Sequence, residues 1–129
     1  MIDPNLLKTC HKLLDTSIST ILLSKNSLVT WFIIVPNTDK IEWYELDIDL
    51  QMQLNKQVNT LSQLLKQDFN VDKINIATIG NVVPQMHIHV IGRKKDDHFW
   101  PNVVWGRKDS KEYTTKDLVH ITDLIKNLF

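Results

Sequence analysis

Apolar and polar positions along this chain follow two periods, one near 3.6 and one of 2. Leu6, Leu7, Cys10, Leu13 and Leu14 fall on one face at helical spacing. This predicts a short amphipathic helix, capped by Asp3 and opened by Pro4, that ends near Asp15. Ser17 to Leu23 and Leu28 to Val35 are rich in β-branched, aromatic and aliphatic residues, and Lys25-Asn26-Ser27 between them is turn chemistry. The pair predicts a β-hairpin whose second strand ends at Pro36 to Asp39. From Asp47, the positions Leu50, Leu54, Val58, Leu61 and Leu65 predict a long one-sided helix, with acids at its start and Lys66 near its end to match the dipole. Lys73 to Ile79 returns to strand composition, Asn75 and Ala77 facing away from Ile74 and Ile76. Gln85 to Ile91 reads as a further strand, with Met86, Ile88 and Val90 on one side and Gln85, His87, His89 and Ile91 on the other. A last helix, capped by Thr115, would carry Leu118, Ile121, Leu124, Ile125 and Leu128 on one face.

The order of elements fits an α+β domain occupying residues 1–129, long enough to bury a core without metal or disulfide staples. Apolar content of 43% and charged content of 23% are those of an ordinary globular chain. Fifteen basic and fifteen acidic residues cancel, so the electrostatic footprint of a protein that grips nucleic acid or an anionic membrane is missing. A local anion site stays open. The lone Cys10 excludes an intrachain disulfide, and its place on an apolar stripe predicts a buried small residue rather than a catalytic thiol. With no basic, apolar leader in Met1-Ile2-Asp3-Pro4, a cytoplasmic location is expected. Arg93-Lys94-Lys95-Asp96-Asp97 is expected to be a solvated, self-cancelling turn. Phe99-Trp100-Pro101 and Trp105-Gly106 would pack across the surface or at a subunit contact.

The chemistry to be sought lies at His87 and His89. Gly80-Asn81-Val82-Val83-Pro84 just before them is a loop, and a hairpin through it would bring Asn75 near His87. Three readings compete. Two titratable rings on one face of a strand are an unusual way to fill a core, which weighs against a merely structural role. His-x-His offers two nitrogens to a metal ion, but zinc sites need three or four protein ligands and His11, His98 and His120 are scattered. Nucleophilic attack on phosphorus needs a neutral imidazole with one nitrogen held as donor, plus donors for the phosphate oxygens.

The run N-I-A-T-I-G-N-V-V-P-Q-M-H-I-H-V-I-G-R from Asn75, followed by W-P-N-V-V-W-G, resembles the histidine-triad (HIT) superfamily of nucleotide hydrolases and transferases. The likeness extends weakly upstream through W-F-I-I-V-P at Trp31 to Pro36 and the next helix. It implies an antiparallel sheet of about five strands with one long helix and short terminal helices. His87 and His89 match the middle and last histidines of the His-φ-His-φ-His-φ-φ motif, and Gln85 stands in the first place. The resemblance implies that His87 forms a nucleotidyl-histidine and that His89 donates to the phosphate or leaving group. It assigns Gly80, Asn81, Val82, Val83 and Asn75 to the phosphate. Val82 stands where many members have serine, and the basic residue and histidine that many carry after the strand-ending proline are missing. Gln85 can donate and accept but cannot carry a proton charge, so positioning, rather than acid–base help, is expected of it. A nucleotide derivative, such as a dinucleoside polyphosphate or nucleoside phosphoramidate, is the implied substrate. No cofactor is firmly implied, though magnesium can accompany the substrate, and a homodimer is expected. The alternatives are a nucleotide-binding module with little turnover and a metal-dependent hydrolase using His87 and His89.

Overall fold

Five strands, β1 (Cys10–Asp15), β2 (Ser19–Ser24), β3 (Thr30–Pro36), β4 (Lys73–Ala77) and β5 (Ile88–Arg93), pair antiparallel in the order β1-β2-β3-β5-β4. The computed structural model describes residues 1–129, and adds helices α1 (Pro4–Thr9), α2 (Ile48–Asp68) and α3 (Thr115–Leu128). The α+β architecture matches the sequence expectation.

Helix α2 forms where the apolar stripe predicts it. The Asp47 carboxylate accepts from the Leu50 N–H at 2.8 Å, and Leu54, Leu61 and Leu65 are fully buried. Each such leucine contributes roughly 1.5–3 kcal/mol by leaving water. They meet Phe32, Ile34, Ile88 and Val90 on one face of the sheet, and Ile121 and Ile125 of α3 close the same core. The cap of α3 is Thr114, whose hydroxyl accepts from the Asp117 N–H, one residue earlier than expected. After α2 the chain must turn sharply. Asn70 adopts φ 54°, and Gly92 of β5 lets the turn press close, since a Cβ there would lie 2.7 Å from Val71 Cγ1.

The predicted first helix is wrong in its second half. Only Pro4–Thr9 is helical, and Cys10–Asp15 is the edge strand β1. Spacing of three and four residues mimicked a helix because the β1–β2 register shifts between Lys12 and Leu14. That irregularity lets the adjacent Leu13 and Leu14 both reach the main core, a pattern that strict alternation does not give. Cys10 is buried, as expected, but with Leu6, Leu22, Ile33 and Val35 on the opposite face of the sheet. No helix is long and apolar enough to cross a membrane.

Two ladder ends fix the placement of the histidines. Pairing between β3 and β5 stops at Ile34 and Ile88, and pairing between β4 and β5 stops at Ala77 and His89. His87 therefore stands just ahead of the sheet, whereas His89 is within it.

Candidate active site

Alternation along β5 places His89 on the face opposite α2, and His87 comes to lie beside it with ring centroids 4.9 Å apart. Both rings are buried. Their hydrogen bonds assign opposite tautomers. His87 Nδ1 lies 2.6 Å from the Gln85 backbone carbonyl. A carbonyl only accepts, so Nδ1 carries a proton, and in the neutral ring Nε2 keeps the lone pair. His89 Nδ1 lies 2.9 Å from Trp31 Nε1. An indole N–H only donates, so here Nδ1 is the acceptor and Nε2 carries the proton. Burial, and then the neighbouring His87, push the His89 pKa down to about 4. His89 is thus a neutral donor at pH 7.

Trp31 and Trp105 hold His89 between them, with ring centroids 5.6 and 5.1 Å from the imidazole. Trp105, expected at the surface or a subunit contact, instead edges onto the imidazole and lines the site. An aromatic at this position signals packing, but its target comes from a distant stretch of chain that local pattern does not reveal.

In front of the two histidines is a cavity of about 160 Å³ walled by Ile79, Val82, Val83 and Trp105 and edged by Gly80 and Asn81. Gly80 takes φ +69°, a conformation glycine adopts without penalty. The backbone N–H groups of Gly80, Asn81, Val82 and Val83 donate to no other protein group. They remain available to an anion. A second cavity of about 110 Å³ borders His87 on another side and is lined by Glu42, Trp43, Thr78 and Gln85 among others.

Two predicted site residues are placed differently from expectation. Asn75 pairs with Ile91 rather than standing near His87, and it does not line the cavity of about 160 Å³. Its Oδ1 accepts from Arg93 Nη1 at 3.1 Å. The Gln85 side chain turns to the start of the chain instead of to His87. Its Oε1 accepts from the Asp3 N–H at 2.7 Å and its Nε2 donates to the Met1 carbonyl at 2.8 Å.

The charge run after β5 is not simply solvated. The Arg93 side chain is 2% exposed and grips the Asp97 carboxylate through Nε and Nη2 at 2.9 and 3.1 Å. Trp100 lies 5.7 Å from the guanidinium carbon. Burial raises the Asp97 carboxyl, but hydrogen bonds from Arg93 and from the Lys94 and Phe99 N–H groups bring it below its ordinary value. No third His, Cys, Asp or Glu gathers with His87 and His89 into a metal-ligand set.

The HIT domain family model matches residues 6–96. Among solved structures, a histidine triad protein from Bradyrhizobium japonicum is 29% identical with a TM-score of 0.93, covering 99% of this chain and 96% of that one. One from Marinobacter aquaeolei is 32% identical with a TM-score of 0.91, covering 99% and 94%. A Plasmodium falciparum diadenosine triphosphate hydrolase is 20% identical with a TM-score of 0.65, covering 98% and 77%, and shares the fold. No curated protein sequence matches the chain. Matched over more than half its length by that model, and structurally alike from end to end to two histidine triad proteins, the chain belongs to the HIT domain family.

Proposed function

We propose that this protein cleaves a nucleotide derivative at its α-phosphate through a nucleotidyl intermediate on His87. The observation that carries the reading is the pair of opposite tautomers. His87 presents an unprotonated Nε2, and His89 presents an Nε2–H beside it. In the first step His87 Nε2 attacks phosphorus, a P–N bond forms, and the bond to the leaving oxygen or nitrogen breaks with its electron pair, the leaving atom taking its proton from solvent. His89 donates to a phosphoryl oxygen or to the leaving atom, and the Gly80 to Val83 N–H groups with the Asn81 amide take the remaining oxygens. In the second step water, or another hydroxyl acceptor, attacks phosphorus, the P–N bond breaks with its electron pair returning to His87 Nε2, and the proton of the attacking group passes to solvent. Asn75 acts on the phosphate only if the substrate reaches along β5 towards Ile91.

Neither cavity bordering His87 contains a lysine or arginine. A polyphosphate leaving group would find no fixed cation there and would have to bring its own magnesium. The apolar walls of the cavity of about 160 Å³, and the Glu42 carboxylate in the other, favour a leaving group of low charge, as in a nucleoside phosphoramidate, over a dinucleoside polyphosphate. The metal-dependent alternative lacks a third ligand beside the two histidines. The binding-module alternative draws support from Gln85, whose amide can neither supply a proton charge nor reach His87 while it holds Met1 and Asp3. By the family resemblance the active form is proposed to be a homodimer.

A panel of adenylated and guanylated phosphoramidates and dinucleoside polyphosphates, assayed for released mononucleotide, tests the proposal. Turnover led by the phosphoramidates is expected. Tight nucleotide binding with no release from any member would favour the binding module.

A further inference from the structure

His87 is placed without help from the sheet. Both ladders that include β5 stop before it, and Val83 to His87 have no strand pairing. Yet the proposed attack requires its Nε2 to be aimed and its Nδ1 proton held, and a misplacement of about 1 Å can cost a hundredfold in rate. The Nδ1 proton is held by the Gln85 carbonyl. What holds Gln85 is its side chain, which makes two hydrogen bonds to the backbone of Met1 and Asp3, an acceptor–donor pair of the kind a neighbouring strand would supply.

We propose that the first turn of the chain, Met1–Asp3, is a positioning element of the active site that acts on His87 through Gln85. Resting on the reading of His87 as nucleophile, the inference adds to the site a segment that touches neither histidine. The segment is itself anchored. Ile2 and Leu6 pack on the cluster of Leu22, Ile33 and Val35, with Val83 of the phosphate loop against the same cluster. Asp3 accepts from the Asn5 N–H at 2.8 Å and so ties the turn to α1. Force on the turn is therefore passed to Gln85 and, by one residue of backbone, to the carbonyl that sets the His87 tautomer. Glutamine in the first triad place gives up proton transfer for this tether.

Three variants test it. Gln85→Met keeps the length of the side chain and removes both bonds. Asp3→Pro removes the N–H that Gln85 Oε1 accepts, and fits the φ of −55° already present there. Asp3→Ala loses the same carboxylate cap but keeps the N–H, and sets the baseline for Asp3→Pro. The readouts are the ring ¹⁵N shifts of His87, which report its tautomer, and the single-turnover rate. In the wild type one tautomer with Nδ1–H is expected. Gln85→Met, and Asp3→Pro relative to Asp3→Ala, should show a mixture of tautomers and a single-turnover rate lower by about tenfold, with KM changed by less than about threefold. An unmixed Nδ1–H tautomer and an undiminished rate in both variants would overturn the proposal. If the wild type turns over no nucleotide, the nucleophile reading falls, while the tautomer shifts still decide whether the first turn is coupled to His87.

Discussion

His87 and His89 share a face and a motif, yet the fold treats them oppositely. His89 lies in the ladder across from Ile33 and Ala77 and is clasped by two indoles, one of which donates to it. His87 lies ahead of the ladder and is held by a single carbonyl. The difference suits the roles proposed for the two rings: a ring that only donates to substrate can be clasped and kept neutral, whereas a ring proposed to form and release a covalent bond needs a lone pair with no protein partner.

The comparison breaks most sharply at the ring proposed to attack. His87→Ala is expected to abolish turnover, by about a thousandfold or more, while nucleotide binding stays within about tenfold because the Gly80 loop persists. Parallel kinetics and equilibrium titration decide it, and wild-type turnover in the variant would reverse the roles.

The Gly80 to Pro84 loop and the strand face of His89 were legible in the sequence because turn residues and period-2 alternation are local. So was α2, whose stripe is one-sided over many turns. The strand expected from Gln85, however, begins only at Ile88, so Gln85 and His87 lie ahead of it. The first helix misled because an irregular strand with two adjacent core leucines imitates helical spacing. Arg93 misled for another reason. In a run of charges nothing local says which guanidinium will be buried, and the answer depends on Asp97 one helical step away, Asn75 on another strand and Trp100 over the plane. The partners of Gln85 were out of reach in the same way, since they lie at the far end of the chain.

The anchored end of β5 can be tested through that ion pair. Arg93→Met should destabilise the fold by about 3–5 kcal/mol, because the Asp97 carboxylate stays buried without its cation. Urea unfolding of the variant measures this, and a loss below about 1 kcal/mol would mean that water reaches Asp97. A smaller effect is expected at the clasp on His89. Trp31→Phe keeps an aromatic ring but removes the donor to Nδ1, which should mix the His89 tautomers and slow turnover by about tenfold. Ring ¹⁵N shifts and kcat test this together, and an unchanged Nε2–H tautomer would show that the indole does not set it.

The smallest effect comes from burial of neutral His89. Its folded pKa of about 4 lies below the ordinary 6.5, so between these values the unfolded chain binds a proton that the folded chain does not. Stability should fall as pH drops through this window and level off below it. Relative to His89→Asn, the wild type should lose about 1 kcal/mol between pH 6.5 and 5.5. Denaturant titrations at the two pH values give the difference, and equal slopes for both proteins would place the His89 proton elsewhere.

The central claim is that phosphorus passes through His87 Nε2. Rapid quenching of the wild type with a labelled nucleoside phosphoramidate, then digestion under mildly alkaline conditions and mass spectrometry, should find the mononucleotide on the peptide that contains His87 and on that imidazole. Label on His89, or turnover with no protein-bound nucleotide at any time point, would contradict the account.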